Sequence, residues 1–193
     1  MASMDPAFFA ILSSTQSAGE PFDEAFLREI APLFAEKILS DGEAFLAPGD
    51  VPRIALVLSG VVRHHVVDAK GRERTTDFCV AGEFTGSVPG ESDGQWCSAI
   101  GPTRLAVADA AKLMAAVSAT PAIQAYFSRT ILGYFGQKAR REAELLALDP
   151  SGRYESFIKR NPALPDLVPQ YLIASYLGIT PETLSRIRAK RAR

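Results

Sequence analysis

The chain has 193 residues, of which 47% are apolar and 22% charged, with a net charge of −1. That is the composition of a globular protein with a real core, large enough for one large domain or two small ones. No apolar run approaches the ~18 residues of a membrane span. No Lys or Arg precedes Arg28, so the basic flank of a secretory signal is missing and a cytoplasmic location is expected.

Charge is unevenly spread. Residues 1–149 hold 13 basic against 19 acidic side chains, a net of −6, whereas residues 150–193 hold 8 against 3, a net of +5. An acidic body with a small basic C-terminal module points to a polyanion met only at that end. The two cysteines, Cys79 and Cys97, are too few for a disulfide framework or a four-thiolate metal site and are expected as half-buried thiols.

In chain order, residues 5–39 read as helical: Asp23 suits a cap, and Phe26, Leu27, Ile30, Leu33 and Phe34 recur at helical spacing. From 43 to 109 the pattern turns to short apolar runs between turn residues: "EAFLAPGD", "RIALVLSG", "VVRHHVV", "RERTTDFCV", "QWCSAI" and "RLAVAD". Runs so short and evenly spaced predict an antiparallel barrel or roll, with "DAKGR" (68–72) as a hairpin connection. "DAAKLMAAVSA" (109–119) returns to helix. Thr120-Pro121 then caps and opens a long helix to about Leu148. Its stripe of Phe127, Ile131, Tyr134 and Phe135 suits pairing with a twin helix from a second subunit, although Gln137, Lys138, Arg140 and Arg141 interrupt the seam. "LDPSG" (148–152) reads as a turn and domain boundary, followed by a short helix, the proline-rich connection "NPALPDLVP" and the closing helices. The expected organisation is α+β: a sensor domain with flanking helices over 1–119, a dimerisation helix over 120–148 and a helix-turn-helix module over 149–193.

The closing helices carry the most specific pattern. With Ala174 as fifth residue of a helix-turn-helix unit, where close crossing demands a small side chain, Gly178 falls ninth, at the sharp turn. Ile173, Leu177, Ile179, Leu184 and Ile187 then occupy the small core between the helices. Thr180 is suited to N-cap the second helix, Pro181 to open it and Glu182 to its positive end. Opposite Leu184 and Ile187, that helix projects Glu182, Arg186, Ala189 and Arg193, with Ser185 at the edge. Arg reads guanine, Glu the cytosine amino group and Ser either, so Glu182, Ser185 and Arg186 are the expected base readers. Thr180, Thr183, Arg188, Lys190, Arg191 and Arg193 are the expected backbone contacts, supplying affinity without sequence information.

"IASYLGITPETLSRIR" (173–188) resembles the helix-turn-helix of Crp/Fnr-type bacterial transcription regulators, and Glu182, Ser185 and Arg186 match the Fnr-like Glu-x-x-Ser-Arg triplet. The resemblance covers nearly the whole chain. "GEF" (82–84) and the runs around it look like the family's cyclic-nucleotide-binding-type β-roll, and 120–148 like its dimerisation helix. It implies a homodimer on double-stranded DNA, at a palindrome with TTGA/TCAA-like half-sites, with RNA polymerase as a further partner. The family usually adds a β-hairpin wing; here it is expected to be reduced, its phosphate contacts passing to the basic residues after Arg186.

The resemblance places an effector pocket around Gly82, Glu83, Phe84, Trp96, Cys97 and Ser98. Cyclic-nucleotide-binding members close that segment with an arginine holding the cyclic phosphate. Here the matching end is "GQWCSAI", and no Lys or Arg occurs between Arg74 and Arg104. A buried phosphate there lacks its charge-assisted partner, which disfavours cAMP and cGMP. An iron–sulfur cluster of the Fnr kind needs four thiolates. Adjacent strand residues His64 and His65 face opposite ways and do not share a metal; both are expected as exposed or half-buried structural side chains, with a haem ligand as the weaker alternative. No cofactor and no metal are expected. No phosphate loop or Ser/His/Asp set argues for an enzyme, and the alternative to a DNA-binding regulator is a ligand-binding adaptor acting through protein contacts.

Overall fold

The computed structural model describes residues 8–11, 30–87 and 94–191, and the chain forms two compact units, Met1–Ala125 and Tyr126–Arg193.

The first unit is a six-stranded antiparallel sheet. Its strands are β1 (Phe34–Leu39), β2 (Ala44–Leu46), β3 (Arg53–Val67), β4 (Glu73–Val80), β5 (Phe84–Gly86) and β6 (Gln95–Asp109). They run in the order β1-β6-β3-β4, with β2 also on β6 and β5 also on β3. Leu39, Phe45, Leu46, Ala55, Val57, Val62, Cys79, Cys97, Ala99 and Leu105 pack into its core. The helix α1 (Ala110–Ala119) follows directly, where the sequence predicts a return to helix, and Asp109 caps it by accepting from the Lys112 N–H at 3.0 Å.

"DAKGR" does form the β3–β4 hairpin. Asp68 Oδ1 accepts from the Lys70 and Arg72 backbone N–H groups at 2.9 and 3.0 Å, and Gly71 takes φ 73°, the side-chain-closed turn that Asp favours. These bonds, the one from Arg72 N–H first, hold the Asp68 carboxyl down to about 2.

Three expectations are corrected here. Residues 34–39, read as the end of a helix, are strand β1, paired with β6 from Phe34↔Ala108 to Leu39↔Thr103 and tied by an Arg104–Glu36 ion pair at 2.8 Å. A partner strand that distant in sequence overrides the local helical spacing. Asp23, Phe26 and Leu27 lie outside the described residues. Secondly, the apolar runs on either side of Gly60 are one strand, β3, and those on either side of Gly101 are one strand, β6. Gly60 (φ 86°) sits in a bulge where the β3–β6 register shifts between Val57, Ser59 and Val61. Glycines that read as turns are bends within long strands. Thirdly, His64 and His65 are not exposed or half-buried but 3% and 5% exposed, and Cys79 and Cys97 are likewise buried. Burial pushes the Cys79 thiol well above its usual range.

The second unit is helical: α2 (Pro121–Ala147, which begins in the first unit), α3 (Pro150–Arg160), α4 (Leu164–Leu167), α5 (Gln170–Leu177) and α6 (Pro181–Arg191). At about 1.5 Å per residue, the 27 residues of α2 extend about 40 Å. "LDPSG" is the start of α3 rather than a free turn: Asp149 accepts from Gly152 N–H at 2.7 Å and Pro150 takes the first turn. The proline-rich connection contains α4, whose Leu164 and the following Val168 are buried. Tyr154 and Phe157 of α3 join Leu172, Ile173, Tyr176 and Leu177 of α5 and Leu184 of α6 as buried side chains, with the Phe157 and Tyr176 rings 5.4 Å apart.

Candidate nucleic-acid interface and sensor face

The turn between α5 and α6 has the geometry expected of a helix-turn-helix. Ala174 is fully buried, which lets the two helices approach. Gly178 takes the left-handed conformation, φ 67° and ψ 34°. Its N–H bonds the Ser175 carbonyl at 3.1 Å while Ile179 N–H reaches back to Ala174 at 3.0 Å, closing α5 with a Schellman-type cap. The Thr180 hydroxyl then accepts from Thr183 N–H at 3.3 Å, capping α6. Leu184 is 1% exposed and Ile187 half-buried.

Those anchors turn the opposite side of α6 outward. Glu182, Ser185, Arg186, Arg188, Lys190 and Arg191 are all exposed, and Thr183 is half-buried; Arg193 lies outside the described residues. Glu182 accepts from its own backbone N–H and from the Thr180 hydroxyl, which lowers its pKa and keeps it an ionised acceptor. Arg186 lies back along the helix, its Nε 3.4 Å from the Glu182 carbonyl and an Nη 3.5 Å from Thr183 Oγ1. These weak contacts leave the guanidinium free to swing outward. One helix face thus offers a carboxylate, a hydroxyl and a guanidinium, followed by a run of cations.

In the sheet unit, the six residues expected around the effector pocket do not all share one face. Glu83 turns its carboxylate to Val80 N–H at 3.0 Å, and burial raises its pKa. The Gly82 N–H and Glu83 carbonyl are spent on Val57 at 3.0 Å each, and Phe84 pairs with Leu56. On β6, neighbouring residues alternate faces. Cys97 pairs with His64 in the core-facing row, whereas Trp96 and Ser98 pair with His65 and Arg63 on the other side.

Two polar clusters result whose partners the sequence pattern does not reveal. On the core side, His64 Nε2 lies 2.6 Å from Thr85 Oγ1 and 3.6 Å from Cys79 Sγ, and its Nδ1 2.8 Å from the Gln95 amide. On the other side, buried Arg63 donates to Thr75 Oγ1 at 2.9 Å and pairs with Glu73. His65 stacks on Trp96 with ring centroids 6.1 Å apart. Burial first, then the Arg63 charge, lowers the His65 pKa, with Glu73 opposing. The hydrogen bond from Arg63 holds Glu73 below its ordinary value. Among the described residues no set of three His, Cys, Asp or Glu side chains could hold a metal ion. The sequence signal for these clusters is the run "RHH" itself, which places three polar side chains in an apolar strand.

Of the stripe on α2, Ile131, Tyr134 and Phe135 are 37%, 41% and 59% exposed, Leu132 beside them is 70% exposed, and Phe127 is half-buried. Two of the interrupting cations have local partners: Lys138 lies over the Tyr134 ring at 4.9 Å and Arg141 over the Tyr176 ring at 4.3 Å.

No protein-family model and no curated protein matches the chain. Solved structures do. FixK2 from Bradyrhizobium japonicum matches with a TM-score of 0.71 at 20% identity, over 81% of this chain and 83% of its own. A CooA variant from Carboxydothermus hydrogenoformans matches with a TM-score of 0.68 at 20% identity, over 93% and 83%. A transcriptional regulator assigned to the Crp/Fnr family, from Eubacterium rectale, matches with a TM-score of 0.69 at 15% identity, over 89% and 84%. The chain has the α+β fold of the Crp/Fnr-type transcription regulators, a cyclic-nucleotide-binding-like sheet followed by helices.

Proposed function

We propose that this protein is a sequence-specific DNA-binding regulator of the Crp/Fnr type, cytoplasmic and acting as a homodimer on a palindromic site. The observation that carries this reading is the turn at Gly178. Its left-handed cap, the buried Ala174 and the Thr180 cap together fix α6 with Glu182, Ser185 and Arg186 exposed on one face. These are the groups that read base edges in a major groove. Thr180, Thr183, Arg188, Lys190, Arg191 and Arg193 serve the phosphates, and RNA polymerase is the expected protein partner. Ile131, Tyr134, Phe135 and the half-buried Phe127 supply an apolar stripe for the second subunit, which sets the half-sites one helical turn, about 34 Å, apart.

The sensor sheet responds to something other than a cyclic nucleotide in this reading. The His64, Cys79, Thr85 and Gln95 cluster beside Cys97 contains no guanidinium or ammonium group, and the buried Arg63 is engaged on the other face. A cyclic phosphate entering there would be desolvated without a cationic partner. Micromolar cAMP binding in calorimetry would refute that part.

Selection of duplexes from a random DNA pool by the full chain tests the main proposal. The expected result is an enriched inverted repeat with TTGA/TCAA-like halves, bound with an affinity that falls by several powers of ten per decade of salt. A pool that stays random, or binding indifferent to salt, would instead favour an adaptor working through protein contacts.

A further inference from the structure

We infer that a cleft in the helical unit, where the C-terminal part of α2 meets α3 and α5, is a binding site for a phosphate-class oxyanion. The cleft is open to solvent and is lined by Arg141 and Glu144 of α2, Arg153 and Arg160 of α3, and Tyr176 of α5. Three guanidinium groups therefore face one carboxylate. That carboxylate is already engaged: Glu144 Oε1 accepts from the Ser156 hydroxyl and Oε2 from an Arg160 Nη, both at 2.6 Å.

The other two arginines are left with donors to spare. Arg141 gives one Nη to the Tyr176 carbonyl at 2.6 Å and lays its plane over the Tyr176 ring, but its Nε is buried without an acceptor. Arg153 gives its backbone N–H to the Asp149 carbonyl at 3.0 Å, but its side-chain Nε is also buried without an acceptor. Buried donors of charged groups are costly to leave unpaired, and a guanidinium fork matches the oxygens of a tetrahedral anion. The stacked ring holds Arg141 in place and the Glu144 pair holds Arg160, so little ordering is left for binding. The lining carries a net charge of about +2, with Leu145 and Leu177 completing it. The Arg153 guanidinium also lies beside the Gly178 turn, 3.5 Å from where a Cβ there would stand. The anion would thus bind next to the hinge that presents α6.

The site is independent of the DNA-binding reading, and its test is arranged accordingly. Inorganic phosphate is titrated into the full chain and followed by phosphorus NMR, with chloride balancing the ionic strength. Saturable line broadening is expected for the wild type, and a loss of affinity of about tenfold or more in Arg153→Gln, whose melting in chloride should stay near that of the wild type. Should Arg153→Gln fail to fold, Arg141→Lys, which keeps the charge but removes Nε, should show the same loss. No saturable broadening by the wild type, or broadening undiminished in both variants, would overturn the proposal. Repeating the titration with saturating random duplex separates two sources of the same chemistry. Loss of the phosphate signal would identify the occupant as a DNA backbone phosphate, and its persistence a free phosphate.

Discussion

The hydroxyl of Thr103 occupies the space that a side chain on Gly60 would need. A Cβ built on Gly60 lies 2.5 Å from Thr103 Oγ1, 2.7 Å from the Pro102 carbonyl oxygen and 2.8 Å from Thr103 Cα. The same hydroxyl bonds the Val61 backbone, its Oγ1 3.3 Å from N and 3.2 Å from O. This bulge joins the two longest strands, so it governs the whole sheet. Gly60→Ala should cost about 3–5 kcal/mol, combining the positive φ with a backbone clash. Gly101→Ala, at φ 66° with open space around it, should cost about 1–2 kcal/mol. Urea unfolding followed by Trp96, the single tryptophan, reports on this sheet. Equal losses in the two variants would show that the close approach is not the determining contact.

The buried His65 predicts a pH dependence in the near-neutral range. Its folded pKa lies below the ordinary value of 6.5 because burial, and then Arg63, disfavour the charged ring. Below that value the unfolded chain takes up a proton that the folded chain accepts only at lower pH. The stability contribution is therefore complete above about pH 6.5 and is lost as pH falls through it. The urea midpoint should drop between pH 7.5 and 5.5, and His65→Phe, which keeps a ring against Trp96, should flatten that slope. An unchanged slope in the variant would assign the effect elsewhere.

On a selected DNA site, Arg186→Ala should lose about 1–3 kcal/mol and relax preference at one base pair of each half-site. Lys190→Ala should weaken all duplexes alike and lower the salt slope by about one. Fluorescence anisotropy on matched and mutated duplexes distinguishes the two patterns. Full affinity and specificity in Arg186→Ala would mean that another face of α6 reads the bases.

The exposed stripe on α2 makes a prediction about assembly. Placing a carboxylate in an apolar seam costs several kcal/mol, so Phe135→Asp should convert a dimer into a monomer. Because Phe135 is 59% exposed within one chain, its circular dichroism should not change. Sedimentation of the two proteins at the same concentration decides the matter, and identical masses would remove Phe135 from the seam.

Local chemistry made the helix-turn-helix legible in the amino-acid sequence. Ala174, Gly178, the Thr180 cap and the Pro181 start act on backbone groups within a few residues of themselves, so their spacing alone determined α5, the turn, α6 and the face carrying Glu182, Ser185 and Arg186. The same holds for the Asp68 hairpin. The sheet unit was legible in kind but not in detail. Helical spacing over 30–34 concealed β1, whose partner lies near the end of β6, and two glycines that look like turns turned out to be bends in continuous strands. Only tertiary structure decided that Trp96 and Ser98 face away from Cys97, that Arg63, His64 and His65 are buried within polar clusters, and that Arg141, Glu144 and Arg153 meet around Tyr176. Each of those outcomes depends on which distant segment pairs with or packs on another, and hydrogen-bond capping and hydrophobic period carry no information about partners tens of residues away.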